Sequence, residues 1–166
     1  MKDEQRKILK IMNEATNRMD LNMFAEAVKL TPGEAIANVQ ALTNEGFLRK
    51  LGSGYGLTEK GKNTLKAFVA VPQEKAFQFY TDIDKPGGFS AISLEEFYYQ
   101  IKQVDSDSLD FHLYRDDFEN WLRQVVSSDE LADEAANFKK TGLYGEELRR
   151  AFLKSIDANY GIEYIS

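Results

Sequence analysis

The chain has no cysteine, which excludes disulfides and thiolate metal sites and suits a reducing compartment. It has one histidine, His112. With a single imidazole and no thiol, neither a nucleophilic triad nor a histidine-based metal centre is expected within one chain. No apolar run approaches the roughly 18 residues of a membrane span. The opening stretch MKDEQRKILKIMNEA carries charges but no continuous apolar centre, so a signal peptide is not expected and the cytoplasm is the expected location. Internal repeats and low-complexity segments are also lacking.

What is present is ordinary globular composition, 43% hydrophobic and 29% charged, in 166 residues that suffice for one large domain or two small ones. The formal net charge of −6 is unevenly spread. Residues 1–71 hold 11 basic and 8 acidic side chains, a net of +3; residues 72–166 hold 10 and 19, a net of −9. Aromatics divide 4 to 16 between the same stretches. Such asymmetry predicts two units with different partners, with Pro72 near the boundary.

In residues 1–71, Ile8, Met12, Ala15 and Met19 recur at helical spacing with Leu9 alongside, predicting a helix from residue 3 to about 17. Asp20 suits the N-cap of a second helix with Phe24, Ala25 and Val28 on its apolar face. Thr31-Pro32-Gly33-Glu34 is a capping box with proline at N1, opening a third helix that buries Ala35, Val39 and Leu42. Gly46 supplies the stop. Residues 47–51 and 55–57 then read as strands around a Gly52-Ser53-Gly54 turn, and Thr58 caps a fourth helix carrying Leu65 and Phe68. The GSGYG stretch lacks the spacing of a phosphate-binding glycine loop and suits a hairpin turn.

Leu42-x3-Gly46-Phe47-Leu48 and Leu57-Thr58-Glu59-Lys60-Gly61 are similar to the LxxxGLI and LTxxG patterns of MarR-like winged-helix regulators. The resemblance covers nearly all of residues 1–70. It implies three helices, a β-hairpin wing and a fourth helix, with the third helix in the major groove of duplex DNA. On that helix the outward face is expected to present Gly33, Ile36, Ala37, Gln40 and Asn44, with Asn38 and Thr43 at its margins. Asn38, Gln40 and Asn44 are candidate base or phosphate contacts. This face has no Arg or Lys; the flanking cations Lys29, Arg49, Lys50, Lys60 and Lys62, with Lys66 beyond them, suit phosphate contacts that carry affinity without sequence information. A homodimer on a two-fold site fits such regulators. Ile36 and Ala37 keep a second reading open, a non-enzymatic adaptor whose winged helix binds protein.

Residues 76–166 predict a mostly helical, acidic, aromatic-rich domain with a short β-hairpin, giving an α+β chain overall. Residues 76–80 and 89–92 read as the strands, with a turn over residues 82–88 between them. Ser93-Leu94-Glu95-Glu96 is a capping box, residues 108–126 read as largely helical, and further helices start near Ser127 and Tyr144. SLEEF, FHLYRDDFENWL and GEELR resemble sequences of an uncharacterised prokaryotic, largely archaeal, domain family, which implies no activity. Phe97, Phe111, Phe118 and Trp121 are expected in the core, while Tyr98, Tyr99 and Tyr114 could line a pocket or a dimer seam.

His112 and Asp116 stand four apart, close enough to pair on one helix face, and a structural or surface role is expected for the histidine. Asp105-x-Asp107-x-x-Asp110 has Asp110 where a calcium loop needs glycine and Asp116 where it needs glutamate, so cap and turn roles are expected. Arg115, Asp116 and Asp117 read as an internal ion pair anchoring the helix, with part of an acidic binding face as the alternative. No catalytic residue, metal or cofactor is assigned, and the carboxylates fall mostly at caps and on exposed helix faces. The acidic unit is expected to serve assembly, ligand sensing or protein-partner binding.

Overall fold

The structure, a computed structural model, describes residues 1–14 and 21–164. Among these residues nine α-helices accompany two two-stranded antiparallel sheets, an α+β chain dominated by helix. The backbone divides into two units, Met1–Lys66 with Asn159–Ser166, and Ala67–Ala158. The division thus precedes Pro72, and the end of the expected 76–166 domain belongs with the first unit.

In the first unit the order is α1 (Asp3–Glu14), α2 (Leu21–Val28), α3 (Pro32–Asn44), β1 (Leu48–Leu51), β2 (Gly54–Leu57) and α4 (Glu59–Ala67). Ile8, Leu9 and Met12 of α1, Ala25 and Val28 of α2, and Ala35, Val39 and Leu42 of α3 are buried. Ala15, Met19 and Asp20 lie outside the described residues, as does the side chain of Phe24. The start of α3 is the expected box: Thr31 Oγ1 accepts from the Glu34 N–H at 3.3 Å and Glu34 Oε2 accepts from the Thr31 N–H at 2.9 Å. Two otherwise orphaned donors of the first turn are satisfied this way. Gly46, at φ +82°, ends the helix in the left-handed region.

The hairpin pairs Leu48 with Leu57 and Leu51 with Gly54. Thr58 fastens it to the helices, because its hydroxyl donates to the carbonyl of Gly46 while its N–H donates to that of Phe47 at 3.1 Å. The same hydroxyl accepts the Gly61 N–H at 3.1 Å, capping α4. The inner face of α4 is Gly61, Thr64 and Ala67; Leu65 and Phe68, expected to carry it, are only half-buried. Thr64 Oγ1 donates to the Tyr160 carbonyl, and Ile162 beyond it is fully buried.

In the second unit β3 (Phe77–Asp82) and β4 (Lys85–Ala91) form a hairpin with only Ile83 and Asp84 between the strands, a tighter turn than the expected residues 82–88. Then follow α5 (Leu94–Gln103), α6 (Ser106–Tyr114), α7 (Asp117–Gln124), α8 (Asp129–Lys140) and α9 (Gly145–Tyr160). Ser93 caps α5, its Oγ accepting from the Glu96 N–H at 3.2 Å, and Glu96 reaches back to the Ile92 N–H at 2.9 Å. The stretch expected to be largely helical over 108–126 is so, as two helices separated where Asp116 adopts φ +64°. Asp tolerates that conformation better than most side chains, and Lys139 of α8 holds its Oδ1 at 2.7 Å.

Phe77, Phe79, Phe97, Phe118 and Phe152 make up the aromatic core, with Phe77 edge-on to Phe79 at 4.7 Å and stacked on Phe118 at 5.2 Å. Such pairs are worth about 0.5–1.5 kcal/mol each beyond area burial. Tyr98 is buried, Tyr99 exposed, and Tyr114 stacks on Tyr144 at 4.5 Å. Asp110 accepts the Gly145 N–H at 2.7 Å, so one member of the aspartate series starts α9.

Candidate functional site

Two surfaces carry the candidate chemistry, one in each unit. In the first, α3 turns Ala35, Val39 and Leu42 inward, which leaves Gly33, Ile36, Ala37, Gln40 and Asn44 exposed. Asn38 is half-buried and its Nδ2 donates to the Glu34 carbonyl at 2.9 Å within its own helix. Gln40 and Asn44 remain on the outward face as expected.

The cations separate into two groups. Lys60 is placed differently from expectation. Its Nζ donates to the Glu45 carbonyl at 2.7 Å and stands 4.4 Å from the Phe47 ring centroid, so its charge offsets the negative end of α3. Lys62 pairs with Glu59 at 3.3 Å on the surface, a contact of small energy. Arg49 and Lys50, by contrast, are exposed on β1 and make no ion pair among the described residues. Because strand side chains alternate, they leave the hairpin on opposite faces. Lys29 is exposed at φ +57°, where its N–H and that of Leu30 close the end of α2 on the Glu26 and Ala25 carbonyls.

The α3 N-terminus, a natural place for an anion, is taken. Glu34 already accepts the Thr31 N–H and hydroxyl there, and those hydrogen bonds hold its carboxyl below the usual range.

In the second unit a cleft of about 470 Å³ opens between β3, α6 and α7, lined by Gln78, Tyr80, Phe111, His112, Arg115, Asp117, Asn120 and Trp121 among others. His112 is buried at its floor, and its partner is Asp117 rather than Asp116. The Tyr80 N–H lies 2.7 Å from Nε2, so this nitrogen accepts. The proton therefore sits on Nδ1, which donates to Asp117 Oδ2 at 2.9 Å. Burial dominates and pushes the imidazole pKa down, with the Asp117 carboxylate opposing less strongly. Both ring nitrogens are committed and the ring is walled by Phe77 and Phe111 at 4.8 and 5.0 Å. This is a neutral structural histidine that ties α6 to β3 and α7.

Arg115 Nε stands 3.5 Å from the same Asp117 oxygen, and its guanidinium lies 4.9 Å from the Phe111 ring centroid. The expected ion pair is therefore Arg115–Asp117, with Asp116 given to Lys139. Among the described residues no cluster of His, Asp or Glu is arranged to hold a metal ion, and no helix is long and apolar enough to cross a membrane. The cleft was not legible in the sequence. Its walls come from residues 76 to 125, and the one available signal was His112 beside a run of charged residues. No family model, no curated protein and no solved structure matches the chain.

Proposed function

We propose that the first unit is a winged-helix module that binds duplex DNA mainly through phosphate contacts, and that the acidic second unit serves assembly, ligand sensing or partner binding. The observation that carries this reading is the Arg49–Lys50 pair: two exposed cations with no carboxylate partner among the described residues, on opposite faces of a hairpin that follows α3. A hairpin charged on both faces suits a groove walled by phosphates on either side. Gln40 and Asn44 on α3 supply amides able to meet base edges, whereas Glu34 makes the start of that helix unattractive to phosphate. Affinity with little sequence preference follows.

The test is fluorescence anisotropy of the full chain with a labelled mixed-sequence duplex across a salt series. With Lys29, Arg49 and Lys50 in contact, log affinity falls with log salt at a slope of about −2.7 per chain. Replacing Arg49 and Lys50 together by Glu abolishes binding. Absence of binding at low salt rejects the reading.

The adaptor reading rests on Ile36, 39% exposed on α3 with Ala37 beside it, where an apolar partner surface would fit. Affinity capture from native lysate separates the two. Recovery of nucleic acid without a stable protein partner counts against the adaptor.

A further inference from the structure

The outer edge of β3 is almost completely used. The Tyr80 N–H donates to His112 Nε2 at 2.7 Å, and its carbonyl accepts from Ser108 Oγ at 2.7 Å, so both groups point away from β4. At the other end the Lys75 carbonyl accepts from Trp121 Nε1 at 2.8 Å, and the Ala76 N–H turns back to the Gln73 carbonyl at 3.2 Å. Between them lies Gln78, two residues before Tyr80. Strand alternation turns its N–H and C=O to the same outer side. The strand partner agrees: Ser90, opposite Gln78, sends its carbonyl away from β3 to accept from Gln100 Nε2 at 3.3 Å.

Gln78 thus presents one backbone donor and one backbone acceptor, with no partner among the described residues, to the cleft that it lines. The rest of the wall narrows the chemistry. Trp121, 7% exposed, has one face stacked on Phe97 at 5.1 Å and gives its small accessible surface to the cleft. Asn120 and Gln124 add side-chain amides from α7. Arg115 and Asp117, the charged residues of the lining, cancel each other at 3.5 Å, and His112 is neutral and internally bonded. A charged ligand would have to break the Arg115–Asp117 pair. A bound β-strand would need alternate open pairs along the edge, and this edge offers one.

We infer that the cleft binds a small, uncharged, planar ligand carrying a hydrogen-bond donor and acceptor on one edge, the chemistry shared by nucleobases, lactams and aromatic carboxamides. The edge pairs with Gln78 N–H and C=O, the ring lies against Trp121, and the amides of Asn120 and Gln124 face its rim. The volume of about 470 Å³ is within the range of small-molecule sites. This goes beyond the DNA reading, and neither depends on the other.

The test is amide-resolved NMR of the full chain titrated with nicotinamide, uracil, benzoate and indole as separate probes. Nicotinamide or uracil is expected to shift the Gln78 amide and the Trp121 indole N–H saturably, with a Kd on the order of 1 mM. Benzoate, which is charged, and indole, which lacks an acceptor, bind about tenfold more weakly or not at all. Gln78→Pro removes the donor without touching the ladder and weakens binding about tenfold, whereas Gln78→Ala does not. Should the proline variant fail to fold, hydrogen exchange on the unaltered chain decides. The Gln78 amide exchanges faster than those of Phe79 and Tyr80 and slows with nicotinamide or uracil. A Gln78 amide protected without any probe, equal binding of benzoate and nicotinamide, or no saturable shift with any probe overturns the inference.

Discussion

The carbonyl oxygen of Phe47 lies where a β-carbon on Gly61 would have to go. Leu57 Cδ2 closes the other side at 3.0 Å, and Gly61 is buried on the inner face of α4. The obstacle is backbone, held by the Thr58 N–H and hydroxyl, so it cannot swing aside as a side chain tip would. Gly61→Ala therefore destabilises the first unit by about 2–3 kcal/mol despite the better helix propensity of alanine. Urea denaturation followed by circular dichroism measures it. A loss under about 0.5 kcal/mol would show that the hairpin and α4 are not locked together in this way.

The LTxxG pattern gains a physical meaning from this geometry. Its threonine joins the Gly46–Phe47 backbone to the start of α4 and its glycine permits a close approach, so both residues serve the fold. That is why the pattern predicts architecture more readily than it predicts a ligand.

A second lock lies between α9 and α5. Arg149, whose side chain is 14% exposed, donates from Nη1 to the Ile101 carbonyl and from Nη2 to the Val104 carbonyl at 2.7 Å, while Nε meets Glu146 at 3.0 Å. The last carbonyls of α5 thus find charge-assisted partners on another helix. Arg149→Ala costs about 2–3 kcal/mol, and Arg149→Lys, with one nitrogen to offer, about half of that. Equal stability of the arginine and lysine forms in thermal unfolding would argue against bidentate capping.

His112 makes the second unit sensitive to acid. Its folded pKa lies below the unfolded value of about 6.5, so the unfolded chain binds the proton more readily. The contribution is complete above pH ~6.5 and is lost as pH falls below that value and through the folded pKa. In wild type the urea midpoint falls between pH 7 and pH 5. In His112→Gln the overall stability is lower by about 2 kcal/mol, since the Tyr80 N–H loses its acceptor geometry, and this part of the acid slope disappears. Protonation would also place a cation beside Arg115, which faces the ring across Asp117. A wild-type midpoint that rises on acidification would contradict this assignment.

The sequence disclosed what is local. The Thr31 box, the Gly46 stop, the hairpin turn and the outward face of α3 are each set within a few residues, and they appear where the periodicity and capping chemistry put them. What depends on distant partners was illegible. In the sequence Lys60 reads as one of the flanking cations suited to phosphate contacts; only the fold shows that the end of α3, 15 residues earlier, supplies a carbonyl for it. The break at Asp116 has no Gly or Pro to announce it; Lys139 of α8 meets its carboxylate. Likewise Tyr160 and Ile162 fall with the first unit because Thr64 and a buried site receive them there.

Glu34 offers the sharpest test of the proposed DNA contact. Its carboxylate is held at the start of α3 by Thr31, where it would repel any phosphate approaching the helix end. Glu34→Gln removes the charge while glutamine keeps the capping box, so the helix persists. If α3 faces a duplex, affinity at low salt rises roughly threefold to tenfold, and the gain shrinks as salt screens it. Gln40→Ala with Asn44→Ala should leave the salt slope unchanged, because amides release no counterions. An affinity for duplex DNA that ignores Glu34→Gln at every salt concentration would place the duplex away from α3 and leave the wing alone as the contact.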